Sequence, residues 1–304
     1  MKLKIAGVAF GALMVGLVGA GEAKADAIGY ASLVFNSAFF SQPGGTTPVN
    51  LINDINTSTL RFQDNLKNSA TLNSTTTGDA ASRNSLAQNT VDPALSVVGS
   101  YGGGENNFNF TGTNTNFARS DSVLSGNLLN GSVQSNVVAE TQVLNGSNGH
   151  VQTSSTNSSQ VTFTATSSLT LQFNVGGSIG LYTKLYNSNS QLQTADASIL
   201  FNITIKNQTT GATILNFSPN DLNNQLTAFN TPSEQGSSSL LSFGDASDAF
   251  TLVTGDTYTL SITQNVQADA TALPEPGTLA LFGAGLAGLG FLGFRRQKKG
   301  GLAA

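Results

Sequence analysis

The chain has 304 residues, no cysteine, one histidine and only 10% charged residues, with Ser, Thr, Asn and Gly making up the difference. Lack of cysteine excludes disulfides, a thiolate nucleophile and Cys-based metal sites, and one histidine leaves too few nitrogen ligands for zinc. From Asp26 to Leu273 six cations (Arg61, Lys67, Arg83, Arg119, Lys184, Lys206) face fifteen carboxylates, a thinly spread net −9 that excludes nucleic acid binding, which needs clustered Lys and Arg.

Residues 1–25 read as a secretory signal peptide. Lys2 and Lys4 form the positive n-region, Ile5 to Gly21 is uncharged, and Ala23-Lys24-Ala25 supplies a small-x-small cleavage site. The mature start then falls near Asp26. An uncleaved anchor is the competing reading, and the small residues with Ala23 and Ala25 favour cleavage.

Residues 26–270 read as a secreted β-rich ectodomain that depends on an ordinary hydrophobic core. Ile28 to Phe40 predicts a strand closed by Gln42-Pro43-Gly44-Gly45. Residues 46–159 read as polar and irregular, with Asp64 to Gln88 either a short helix or a loop. Tyr101-Gly102-Gly103-Gly104 is a glycine-rich turn without the Gly-Lys-Ser/Thr of a phosphate loop. Phe108 and Phe110 alternate with polar neighbours and predict a half-buried strand over Asn106 to Phe117. Leu129-Asn130-Gly131-Ser132 and Leu144-Asn145-Gly146-Ser147 read as similar turns, too few for a solenoid.

The clearest sandwich signal covers residues 160–270. Leu169, Leu171, Phe173 and Val175 alternate with polar residues, as do Ile199, Phe201, Ile203 and Ile205, and Tyr258, Leu260 and Ile262. Period two over such lengths means strands with one buried face. Asn207 to Gly211 reads as a hairpin connection to Ala212–Phe217, and Gly255-Asp256 as another turn. The predicted class is all-β, an antiparallel, jelly-roll-like β-sandwich with an N-terminal signal helix and a C-terminal transmembrane helix.

Catalytic groups are sparse. His150 sits in Asn148-Gly149-His150-Val151 and reads as a loop residue beside a strand. Glu105, Glu140 and Glu234, the body's only glutamates, show no paired-carboxylate context for glycoside hydrolysis. Asp245 and Asp248 could join Asp256 around calcium, without EF-hand spacing; no other cofactor is expected. Tyr182 and Tyr186 flank Lys184 and form either a small sugar platform or core and edge positions. Asn-x-Ser/Thr sites at Asn56, Asn130 and Asn202 are expected by chance in this composition.

The C-terminal end carries the most specific pattern. Leu273-Pro274-Glu275-Pro276-Gly277 precedes an uncharged stretch, Thr278 to Phe294, and then Arg295-Arg296-Gln297-Lys298-Lys299. Residues 278–294 predict a helix of about 25 Å at 1.5 Å per residue, short but workable against a ~30 Å hydrocarbon core. Arg295, Arg296, Lys298 and Lys299 form a basic anchor on the cytoplasmic side by the positive-inside rule.

This order, Pro274-Glu275-Pro276, short apolar span and Arg-Arg cluster, resembles a PEP-CTERM sorting domain over residues 274–299. The resemblance implies recognition by an exosortase of a Gram-negative-type bacterium that makes exopolysaccharide, with Pro274, Glu275 and Pro276 as the recognition motif. The tail also looks like the LPxTG signal of sortases, which requires Thr where Pro276 stands, and a permanent uncut anchor is a further alternative. More weakly, Thr209 to Ala212 and Gly255 to Leu260 resemble a Thr-Thr-Gly-Ala hairpin and a Gly-x-Tyr-Thr-Leu strand of β-rich ectodomains ahead of such tails, although Asp256 and Thr257 both separate Gly from Tyr.

The expected protein is therefore a non-enzymatic surface or extracellular-matrix protein. It would be a membrane-anchored precursor, then reach the cell surface or a biofilm matrix with exopolysaccharide as a partner. A carbohydrate-binding or adhesion module is the alternative, and a secreted hydrolase the least favoured.

Overall fold

The computed structural model describes residues 27–84, 90–144, 149–186 and 192–273. In chain order its strands are β1 (Ala27–Ser41), β2 (Ile55–Leu72), β3 (Thr75–Arg83), β4 (Thr90–Val91), β5 (Ser96–Gly99), β6 (Phe117–Gly126), β7 (Ser132–Val143), β8 (Gly149–Ala165), β9 (Leu169–Leu185), β10 (Leu192–Asn207), β11 (Thr213–Phe217), β12 (Asn224–Phe229), β13 (Ser233–Ala246), β14 (Phe250–Leu252) and β15 (Thr257–Leu273). They form two antiparallel sheets. The eight-stranded sheet runs β13-β9-β1-β7-β6-β4, with β14 on β9 and β5 on β6; the seven-stranded sheet runs β11-β10-β15-β8-β2-β3, with β12 on β10. The sheets pack face to face as a sandwich, β1 and β7 lying over β10, β15 and β8. Signal residues 1–25 and the tail from Pro274 onward lie outside the described residues, as do both expected terminal helices.

Alternation builds the core as the sequence predicts. Phe173, Phe201, Ile203, Ile205, Tyr258 and Leu260 all point inward and are buried. Toward the end where β1 finishes, Phe40 meets Phe173 and Phe250 edge-on at 5.6 and 5.8 Å, a favoured aromatic geometry. Toward the end where β1 begins, the core changes to Ala27, Ala70, Ala118, Ala195, Ala270 and Ala272. Small side chains let the sheets approach closely there. A Cβ on Gly29 would lie 2.6 Å from the Asp196 carbonyl oxygen and 2.9 Å from that of Asp269, both in the opposite sheet.

Residues 46–159 are not irregular: β2 to β7 and the first part of β8 lie in that stretch. Its inward positions hold polar groups that bond across the sandwich. Asn68 Oδ1 accepts from Ser122 Oγ (2.9 Å) and Ser155 Oγ (3.0 Å), and Ser135, Asn157 and Gln264 form a second buried network. Buried polar groups are tolerated when paired, so the strands persist although the apolar alternation is broken. Asp64 to Gln88 is likewise neither helix nor loop: β2 and β3 pair as a hairpin around Asn73-Ser74, and residues 85–88 lie outside the described residues.

Asn106 to Phe117 departs from its predicted strand. Only Phe117 belongs to one, and the rest is a loop laid over the outer face of the eight-stranded sheet. Its backbone groups bond to side chains rather than to a neighbouring strand, which satisfies them equally well. The turn at Leu129 to Ser132 joins β6 to β7, while Asn145 to Ser147 of its echo lie outside the described residues. The predicted turns at Gln42–Gly45, Asn207–Gly211 and Gly255-Asp256 all form.

Candidate functional site

Three regions concentrate chemistry. The first is the end where the chain enters and leaves the sandwich. Ala27 opens β1, and Leu273 closes β15 directly before Pro274. Both strands are central: β1 pairs with β7 and β9, and β15 with β10 and β8. Their ends coincide, because Ala27, Ala270 and Ala272 share one buried cluster. β15 remains paired to its last residues, Ala272 with Gly149 and Leu273 with Leu192. Pro274, next in the sequence, has no backbone N–H to donate. The sorting residues Pro274, Glu275 and Pro276, the anchor Arg295, Arg296, Lys298 and Lys299, and the cleavage residues Ala23 and Ala25 lie outside the described residues.

The second region is an ion pair beneath the 100–116 loop. Arg119 on β6 and Glu140 on β7 are directly opposed in register and fully buried. Arg119 Nη2 lies 2.7 Å from Glu140 Oε2, and Nε donates to the same oxygen at 2.8 Å. The remaining guanidinium donors hold the loop, Nη1 to Asn107 O (2.5 Å) and Nη2 to Asn109 O (2.6 Å). Glu140 Oε1 accepts from the backbone N–H groups of Thr111 (3.2 Å) and Gly112 (3.0 Å). The Tyr101 ring lies 4.8 Å from the guanidinium carbon, a cation–π distance. Tyr30 and Ser32 donate to Phe108 O at 2.8 and 2.9 Å. A buried pair saturated in this way is a structural clamp.

Beside the clamp, Asp121 is buried and accepts from the backbone N–H groups of Asn106 (2.5 Å) and Ser122 (2.9 Å). Burial pushes its carboxyl up to about 6, because desolvation disfavours the charged form more than those bonds favour it. A second fully buried pair, Asp64 with Arg83 at 2.5 Å, spans the β2–β3 hairpin. Burial raises the Asp64 carboxyl too, against the lowering by Ser159 and Arg83.

The third region is the outer face of the seven-stranded sheet. On β8 and β15, outward positions from Gln152 to Thr164 and from Thr257 to Gln267 are all Ser, Thr, Asn or Gln. Opposed hydroxyls bond across the strands, Thr162 with Thr259 (3.1 Å) and Thr164 with Thr257 (2.9 Å). This band carries no charge and no aromatic ring.

The remaining sequence candidates disperse. His150 is half-exposed at the exit end, with Nδ1 3.0 Å from Thr271 Oγ1 and 3.6 Å from Asp269 Oδ1. Tyr182 is buried edge-on to Phe110 (5.4 Å), so it forms no exposed platform with Tyr186. Lys184 Nζ sits 4.4 Å from the Tyr186 ring and 2.9 Å from Glu234; the Glu234 hydrogen bond raises the lysine and lowers the glutamate. Among the described residues no three His, Asp or Glu side chains are grouped to hold a metal, and Asp256 instead accepts from Asn207 Nδ2 (2.7 Å). Neither Arg119–Glu140 nor Asp64–Arg83 stands out in the linear sequence. Hairpin arithmetic finds them: each pair is equidistant from its turn, at 129–130 and 73–74.

Among the described residues no helix is long and apolar enough to cross a membrane, and the 278–294 stretch lies outside them. No curated protein and no solved structure matches the chain. A family of sorting signals does: residues 272–297 match the PEP-CTERM protein-sorting motif. The matched segment begins on the last two residues of β15, so the signal starts inside the folded sandwich. Such a motif implies export through a membrane-anchored precursor that an exosortase processes. The chain is thus a β-sandwich protein bearing a PEP-CTERM protein-sorting motif.

Proposed function

We propose that this is a non-enzymatic surface or matrix protein, released or re-anchored by an exosortase and retained with exopolysaccharide or biofilm. The sorting match at residues 272–297 carries the reading. Support comes from the sandwich, in which the buried charged pairs Arg119–Glu140 and Asp64–Arg83 are saturated by structural bonds, and from a body poor in charge. Intact-mass measurement of the extracellular form tests it. Loss of Phe291 and the Arg295-Arg296 cluster is expected; a secreted species retaining them rules out processing.

A second reading rests on the uncharged outer face of the seven-stranded sheet. Opposed hydroxyl rows, such as Thr162–Thr259, offer hydrogen-bonding groups of the kind that neutral sugars use. In this reading the body is a carbohydrate-binding module for neutral polysaccharide. Retention of the secreted form on a glycan array is expected, and retention that survives replacing Thr162 and Thr259 would move the binding elsewhere.

A further inference from the structure

We infer that the exit end of the sandwich seats on the lipid surface while the precursor is anchored, with Tyr186 and Phe229 as its interfacial contacts. The inference rests on the anchored-precursor reading of the tail. Only Pro274, Glu275, Pro276 and Gly277 separate the last residue of β15 from the uncharged stretch that starts at Thr278. Five Cα steps extend at most about 18 Å. The body is much longer: the 17 residues of β15 alone span about 55 Å. An inserted 278–294 stretch therefore holds the exit end near the bilayer. The far end reaches the surface only if the sandwich lies on its side.

The composition of the exit end fits that placement. Its described connecting residues, at 73–74, 100–101, 116, 144, 186 and 230–232, carry no charged side chain, so none must shed a tightly held hydration shell at a headgroup layer. Two large apolar side chains stand exposed there, Tyr186 at 50% and Phe229 at 58%. Both are placed by register. Leu185, just before Tyr186, is opposite Ala27, the first residue of β1. Phe229 is opposite Thr194, which is itself opposite Thr271, two residues before the end of β15. Tyrosine, with an apolar ring and a wet hydroxyl, favours the membrane–water interface, and phenylalanine buries its ring at the headgroup–acyl boundary. Lys184, over the Tyr186 ring, lies one step back from that edge, where its ion pair with Glu234 adds no net charge.

The chain contains no tryptophan, so a single introduced one reports its own site. Full-length Y186W, F229W, L241W and V253W proteins would be reconstituted in vesicles of phosphatidylethanolamine and phosphatidylglycerol whose acyl chains carry bromine near the headgroups. Leu241 marks the flank and Val253 the far end, both exposed. Docking predicts blue-shifted emission and several-fold stronger bromine quenching for Y186W and F229W than for V253W, with L241W low. Protein that floats with vesicles while all four probes quench equally weakly overturns docking and leaves anchoring intact. Strongest quenching at L241W overturns it in favour of a body lying on its flank. A blue shift at F229W without bromine quenching overturns it in favour of a protein occupant, such as a second copy. Failure to float overturns the anchored reading and docking with it.

Discussion

The two sheets present the same kind of strand to opposite fates. The outer face of the eight-stranded sheet is sealed: Ile28, Tyr30, Val138 and Tyr182 lie beneath Phe108 of the 100–116 loop, and Arg119 and Glu140 are buried with them. The outer face of the seven-stranded sheet is open and bears rows of hydroxyls and amides. An antiparallel sheet ordinarily solvates one face, so the open face needs no explanation. The sealed one does. A loop without strand structure stays on a sheet only if its backbone groups find partners, and charged side chains supply the strongest ones. Of the body's six cations, Arg119 is buried in an ion pair under the 100–116 loop, while the other buried one, Arg83, pairs with Asp64 between the sheets.

Arg119 carries most of the difference between the two faces. R119M leaves Glu140 buried without its cation and frees the Asn107 and Asn109 carbonyls. Removing one partner of a buried pair costs about 3–5 kcal/mol, so denaturant unfolding should shift by that much, with the loop newly cut by protease around Gly102 to Gly104. The double variant R119M/E140Q should be less destabilised than R119M, because no unpaired charge remains. A smaller loss in R119M than in a matched surface substitution would mean that the loop is held by Phe108 and Phe110 alone.

Asp121 sharpens the same contrast through pH. Its carboxyl is raised to about 6 in the folded chain, against an ordinary value near 3.9 in the unfolded one. The folded state therefore binds the proton more tightly. This stabilisation is complete below pH ~4 and is lost as pH rises through 6, by about 2–3 kcal/mol at 1.36 kcal/mol per unit. Asp64 and Asp269 are raised in the same direction, so the readout is the difference between wild type and D121N across that window. D121N should flatten part of the slope; identical slopes would remove Asp121 as its source. The exposed pair on the same sheet behaves otherwise: E234Q should leave the unfolding midpoint unchanged and remove only the salt-screened contact with Lys184.

Apart from β1, the sequence discloses the strands after residue 160 better than those before it, in both sheets. Uninterrupted alternation in Phe201–Ile205 and Tyr258–Ile262 predicts β10 and β15 directly, because their inward positions are apolar. β2 hides its alternation, since Asp64 and Asn68 occupy inward positions where cross-sandwich bonds make polarity tolerable. The 100–116 loop misleads in the other direction: Phe108 and Phe110 are spaced as in a strand, yet they cap a face that the sequence gives no reason to think covered. The clamp was within reach from turn positions, because any hairpin folding at 129–130 must oppose Arg119 to Glu140. The sorting tripeptide was the most legible feature, since linear recognition needs no fold. What remained hidden was that it follows a central strand without a linker.

Another small effect is expected on the open face. T162A/T259A removes two opposed hydroxyls that, among the described residues, bond to each other at 3.1 Å. Water replaces that contact, while the lost cross-strand Thr pair and β-branched side chains cost a little, so stability should fall by no more than about 1 kcal/mol. This near-neutrality is what gives the variant its value. A protein that unfolds like wild type but no longer adheres to neutral polysaccharide would assign binding to this face without a folding defect to confuse the result. A loss well above that limit would show that the hydroxyl rows support the sheet itself. The contrast between a sealed, load-sharing face and an open, dispensable one would then be drawn in the wrong place.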